Sequence, residues 1–309
     1  MKPKERDRAK ALATALTSYN QSVAKLPGIN TPKHLDALVE QLVESLRRIE
    51  FIYHIRDGKI SDKRIDPAQD VFDPLRAAVL HLRKGNLDEA YWLVFLATHF
   101  GKSASGWALV ADIYGRLGTG GLWDWKSISK NPQGFRTWLR QNQSKFSGRK
   151  FSNHRKFESL KADSKKGTAE VLESYVGWVL SHGSHAKMIQ NVHQKVGQNP
   201  QDVFDFLYRS MDAVTRFGRL GRFDYLTMLG KLGIAPIVPS SAYLWHNASG
   251  PLKGAKLLFL GDENAIVPAR QMDARLEDLD GHLKVGMQTL EDALCNWQKS
   301  PAKFISFRG

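Results

Sequence analysis

The chain has 309 residues, 42% hydrophobic, 10% aromatic and 25% charged, a balance that excludes a disordered or fibrous protein and suits a globular one with a sizeable core. Forty-five Lys and Arg against thirty-one Asp and Glu leave a net charge of +14, which favours a polyanionic partner without specifying a fold. A single cysteine, Cys295, excludes an internal disulfide and a cysteine-built metal cage, and fits a reducing compartment.

The opening residues, MKPKERDRAKALATALTSYN, are charged throughout and lack the apolar centre of a signal peptide. No apolar run approaches the ~18 residues of a membrane span, so a soluble cytoplasmic protein with no membrane partner is expected. Over 34–56, Leu35, Leu38, Val39, Leu42, Val43, Leu46, Ile49 and Ile52 fall on one stripe near a 3.6-residue repeat and predict a helix. Segments 73–83, 87–99 and 105–117 read the same way, punctuated by Pro74, Gly85 and Gly101. His99, at the end of the second of these, reads as a residue beside the helix C-terminus. Residues 118–153 read as loop, crowded with Trp123, Trp125, Trp138 and basic side chains. They offer a boundary between an N-terminal helical region, 1–120, and a C-terminal one, 121–309, although a single interwoven domain fits equally.

Next comes FSNHRKFESL, 151–160. His154, Arg155 and Lys156 can contact phosphates or sugar, and Arg offers a planar fork of donors. Asn153 carries both a donor and an acceptor for a base edge or a hydroxyl. Phe151 or Phe157 can stack on a base. Helices follow over 168–180, with Thr168 as N-cap, and over 201–216, 222–232, 252–260 and 286–298. His182, His185 and His193 lack the spacing of a metal site, and Cys295 with Glu291 lacks the histidine a thiol catalyst needs. Strand-like alternation is nearly absent, so the fold class is all-α.

In FGRLGRFDYLTMLGKLG, 217–233, Arg219 and Arg222 are candidate phosphate ligands or partners of a catalytic carboxylate, and Tyr225 a further substrate contact. Asp224 reads as the helix cap. Tyr243, Trp245, His246 and Asn247 precede a glycine pair and can line a base pocket. In GPLKGAKLLFLGDENAIVPARQMDAR, Gly250 and Gly254 read as bracketing a tight turn that contains Lys253 and opens a helix, with free N–H groups for a phosphate. Lys256 follows in that helix and Asp273 lies seventeen positions further on.

This last segment resembles the helix-hairpin-helix DNA glycosylases, in which a glycine hairpin, a lysine and a later aspartate form the catalytic apparatus. Carried over by position, Gly254, Lys256 and Asp273 match that glycine, the lyase lysine and the aspartate; the hairpin here, GPLKG, is longer than the family turn. A second resemblance runs nearly the length of the chain. RRIEFIYHIRDGKISDKRIDP, FDPLRAAVLHLRKGNLDEAYWLVFLATHFGK, NHRKFESL, FGRLGRFDYLTMLGKLG and MQTLEDALCNWQK are similar to the α-glutamyl/putrescinyl-thymine pyrophosphorylase family, helical relatives of DNA glycosylases. Bacterial anti-phage glycosylases that act on α-glucosylated hydroxymethylcytosine are also similar.

The resemblance implies a helical glycosylase-like architecture and double-stranded phage DNA carrying modified bases as the partner. Excision of a hypermodified pyrimidine after base flipping is the implied reaction, in anti-phage defence. Asp273 would then stabilise the sugar cation and activate water, and Lys256 would attack the sugar if lyase chemistry followed. No cofactor is expected. A base-modifying transferase or pyrophosphorylase and a non-catalytic DNA-binding module are the alternatives.

Overall fold

A computed structural model describes residues 3–245 and 248–306. In chain order the helices are α1 (Pro3–Ser22), α2 (Pro32–Asp57), α3 (Pro74–Arg83), α4 (Leu87–Phe100), α5 (Ala108–Tyr114), α6 (Trp125–Lys130) and α7 (Pro132–Gln141). They continue with α8 (Thr168–Leu180), α9 (His185–Val196), α10 (Pro200–Ser210), α11 (Arg219–Lys231), α12 (Ser249–Leu260), α13 (Ala269–Leu283) and α14 (Met287–Trp297). Among the described residues the only bridge is the isolated pair Ser103 and Gly106, so the expected all-α class holds. None of these helices is long and apolar enough to cross a membrane.

The chain divides into two compact units. One combines residues 1–52 with 239–308; the other is 53–238. The division falls within α2, between Ile52 and Tyr53, and the boundary expected near residue 120 lies inside the second unit.

In the first unit, α1, α2, α12, α13 and α14 bury Leu12, Leu16, Leu38, Leu42, Leu258, Met272, Leu276, Leu294 and Trp297 in one core. Tyr19 donates to Asp278 at 2.6 Å and Gln41 to the Ile305 carbonyl at 2.8 Å. Gly250 and Gly254 are not a turn. They lie one turn apart within α12, where a Cβ on Gly254 would stand 2.4 Å from the Leu294 carbonyl and one on Gly250 2.7 Å from Cys295 Sγ. Their spacing lets α12 and α14 approach backbone to backbone. Gly254 is also past the first four positions of the helix, whose N–H groups lack an intrahelical acceptor.

In the second unit, α4 is apolar all round because it is surrounded on every side. Ala90 through Leu96 are fully or almost fully buried. The Phe95 ring packs 3.7 Å from Tyr175 and 4.8 Å from Phe217, and Tyr91 packs 4.6 Å from His185. The expected helix over 201–216 stops at Ser210 and gives way to a 3-10 turn, Met211–Ala213. Arg216 then adopts φ +64°, uncommon for a residue with a side chain. Thr168 is the first residue of α8 rather than its cap; its hydroxyl donates to the Ser159 carbonyl at 3.0 Å and lies 3.1 Å from His99 Nε2.

Near the start of α4, Glu89 accepts from the Trp125 amide at 2.8 Å and the Tyr114 hydroxyl at 2.9 Å. It borders a cavity of about 490 Å³ that Asp88, Asp124, His81 and Lys126 also line. Burial pushes its pKa up to about 7; the two hydrogen bonds oppose that rise, and the charges of Asp124 and Asp88 add to it. The folded protein therefore holds a proton that an unfolded glutamate, titrating near 4.5, releases. This contribution to stability is complete below about pH 4.5 and is lost as pH rises through about 7. Urea unfolding from about pH 5 to about pH 8 should show wild-type stability falling across that window, with the fall reduced in Glu89→Gln.

Candidate functional site

The turn at Asn153–Arg155 and helix α11 bring one group of the predicted residues together in the 53–238 unit. Arg155 is 7% exposed, and its guanidinium lies over the Phe217 ring, 5.5 Å from the centroid. Gly221 leaves room for it, since a Cβ there would stand 3.0 Å from Nη1. Nη2 points to Asp224 Oδ2 at 3.7 Å, beyond hydrogen-bond reach, and has no hydrogen-bond partner among the described residues. Burying a charged donor without a hydrogen bond is costly, and the nearby charge of Asp224 offsets part of that cost.

Asp224 is the residue that sequence reasoning misassigned. The cap position of α11 is Gly218 and the helix begins at Arg219, which places Asp224 a turn and a half inside it. Its side chain keeps 41% of its surface, yet the protein crowds the carboxylate closely enough for desolvation to raise its pKa. Arg155, His154, Lys231 and Arg219, in that order, pull the pKa back down. Asp224 thus occupies a recess that solvent reaches and four basic residues surround. Proximity to Arg155, 69 positions earlier, is a tertiary fact that no local pattern carries.

Around this recess Asn153, His154 and Lys156 are exposed, as nucleic-acid contacts require. Of the two phenylalanines, Phe151 turns inward, stacked on Phe100 and edge-on to His99, each at 5.6 Å. Phe157 is 79% exposed, with Lys156 Nζ 5.1 Å from its ring centroid. His99 does not serve as a charged helix-end residue. It is 1% exposed, and burial, followed by Arg155 and Arg216, pushes its pKa down to about 3, so it is neutral.

Arg222 and Tyr225 depart from the expected binding roles. Arg222 donates from Nε to the Phe217 carbonyl at 2.6 Å, lies over the Tyr208 ring and pairs with Asp212, so its donors hold the start of α11 to the preceding turn. Tyr225 is fully buried, and its hydroxyl lies 2.7 Å from that of Tyr175. Tyr175 in turn lies 2.8 Å from His185 Nε2, and His185 Nδ1 lies 2.6 Å from Asp88 Oδ1. Tyr225 therefore ends a buried polar chain beneath α11 and cannot touch a duplex.

The remaining candidates lie in the unit formed by 1–52 and 239–308. Asp273 is 4% exposed; Oδ1 accepts from Ser241 Oγ at 2.8 Å and Oδ2 from the Leu244 amide at 2.9 Å. It ties the 241–244 segment to α13. Tyr243 is 2% exposed, while Arg270 lies over the Trp245 ring at 4.8 Å. Lys253 is exposed and pairs with Glu263 at 3.3 Å, and Lys256 is a partly exposed residue within α12. His246 and Asn247 lie outside the described residues.

No curated protein and no solved structure matches the chain. A family profile, alpha-glutamyl/putrescinyl thymine pyrophosphorylase clade 3, matches residues 33–309, which takes in all of 53–238, with every residue of the Arg155–Asp224 recess, and the other unit from residue 33 onward. The chain belongs to that family.

Proposed function

We propose that the protein is an enzyme that acts on a hypermodified pyrimidine in double-stranded DNA and separates the base from its sugar. The observation that carries this reading is the solvent-reachable carboxylate of Asp224 beside the buried guanidinium of Arg155, with His154, Lys231 and Arg219 close enough to act on its charge. The family's name, which speaks of modified thymines, supports the substrate class.

The scissile bond is sealed inside a stacked duplex, so the nucleotide must first rotate out, at about a few kcal/mol. His154, Lys156 and Arg219 supply charge for the phosphates, and the buried Arg155 holds a fixed positive charge beside Asp224. As the glycosidic bond breaks, positive charge grows on the sugar. A carboxylate placed against that face stabilises the charge and accepts a proton from the attacking water. The step needs only water, leaves an abasic site, and on a phage genome serves anti-phage defence.

Asp224 suits this role better than Asp273, whose two oxygens already accept hydrogen bonds in a buried position.

A second reading is favoured by the pyrophosphorylase in the family's name: exchange of a phosphorylated substituent on a base that stays in DNA, for which the basic recess would hold the pyrophosphate. Incubation with genomic DNA from phages bearing different modified pyrimidines, followed by mass spectrometry and an abasic-site assay, separates the two. Free base with abasic sites is the expected result. An altered nucleoside in intact DNA would establish exchange instead, and salt-dependent binding without any product would leave a binding module.

A further inference from the structure

Phe157 has a surface position that packing does not explain. It is 79% exposed, although the large aromatics of this unit mostly lie in its core. The backbone beneath it is nevertheless fixed. Arg216 Nη2 donates to the Phe157 carbonyl at 3.1 Å, and the same guanidinium grips Glu158 through both carboxylate oxygens at 3.0 and 3.1 Å. The Glu158 amide donates to the Arg155 carbonyl at 2.9 Å. Arg216 holds this clamp from a left-handed backbone conformation, φ +64°, which a residue with a Cβ adopts against a steric cost. An exposed apolar ring on a tethered turn loses little conformational freedom when it is finally covered.

The surroundings of the ring identify what covers it. Lys156 sits at its face, His154 is exposed three positions earlier, and Arg155 and Asp224 form the recess two residues away. A protein-binding anchor would meet depleted charge around it. This ring has Lys156 over its face and the exposed His154 nearby in sequence, as suits a polyphosphate backbone flanking an apolar gap.

We propose that Phe157 is the wedge that enters the base stack of duplex DNA and fills the space left by the extruded nucleotide. The inference rests on the proposed action on a base in duplex DNA and names the residue that keeps the stack open: a wedge is useful only where there is a stack to hold apart. Arg216 and Glu158 act through Phe157 as positioning residues. Phe151, turned into the core, has no part in it.

The test uses a duplex oligonucleotide with a mispaired pyrimidine beside 2-aminopurine, whose emission rises on unstacking, and the same strand alone for anisotropy. Wild-type protein should raise the duplex emission. Phe157→Ala should lower that opening by about tenfold, while affinity for the single strand stays within about twofold; Phe157→Trp should restore the opening. Unchanged opening in Phe157→Ala, an equal loss on duplex and single strand, or a wild-type protein that opens no duplex overturns the wedge. Arg216→Ala, which leaves the ring and loosens its clamp, should reduce opening without altering single-strand affinity, and full opening there refutes the positioning role. Failure of the underlying reading looks different: duplex opening that depends on Phe157, with no change in any modified DNA by mass spectrometry.

Discussion

Asp224→Asn is expected to reduce base release by about 10³-fold while DNA affinity changes by no more than a few-fold. The substitution keeps the size of the side chain and leaves the Phe217 and Gly221 surroundings of Arg155 in place. It removes the negative charge that the emerging sugar cation needs and the base that takes a proton from water. Single-turnover release on modified DNA and anisotropy on the same duplex measure the two quantities separately. The acid limb supplies a second readout. Desolvation raises the Asp224 pKa, so its carboxylate is lost at a higher pH than that of an exposed aspartate. Wild-type activity should therefore decline early on acidification, and substitution of Arg155, the largest opposing charge, should move the decline to higher pH still.

The matching change at the residue nominated by resemblance should behave differently. Asp273→Asn turns an acceptor of two hydrogen bonds into a group that can donate where donors already point. A stability loss of about 1–3 kcal/mol is expected, with activity retained by the molecules that fold. A folded, inactive Asp273→Asn beside a fully active Asp224→Asn would move the chemistry to α13 and refute the assignment made above.

The second large effect concerns Gly254. Gly254→Val should destabilise the unit formed by 1–52 and 239–308 by about 3 kcal/mol, since the contact at 2.4 Å is with the Leu294 backbone carbonyl, which cannot rotate aside. Gly281→Ala in α13 is the control. No atom lies within 4 Å of a Cβ there, so this change should be neutral or stabilising by up to about 1 kcal/mol. Urea unfolding followed by far-ultraviolet circular dichroism reports both. A Gly254→Val protein of wild-type stability with lost duplex affinity would reinstate the phosphate-binding hairpin.

The residues show why part of this was legible. The stripe from Leu35 to Ile52 and the apolar run of α4 announce helices because the first has one buried face and the second is buried all round. Helices α1 and α13 were not announced. Each hangs on a few widely spaced anchors, Leu12, Leu16 and Tyr19 in one and Met272, Leu276 and Leu279 in the other, within otherwise charged sequence. In 118–153, α6 has only six residues and α7 offers a single buried set, Phe135, Trp138 and Leu139, amid polar and basic sequence, while side-chain caps from Asp124 and Asn131 set their starts. The glycine pair was misread because Gly-x-x-x-Gly serves equally as a turn and as a close helix contact, and only Leu294 and Cys295, far along the chain, decide between them. At the candidate site the basic residues of 153–156 and Arg219 were visible as types. The pairing that makes them a site, Arg155 with Asp224, was not.

Because the unit that holds Leu12 and Trp297 is assembled from both ends of the sequence, ribosomal synthesis delivers its two halves far apart in time. Tyr19 waits for Asp278, and Gln41 for the carbonyl of Ile305, until all of residues 53–238 have been made. Residues 53–238 are contiguous and can mature first, while the leading helices keep their apolar stripes uncovered beside the nascent polypeptide. Premature termination anywhere before α14 would strand those stripes permanently, so truncated products should be prime clients for chaperones and proteases.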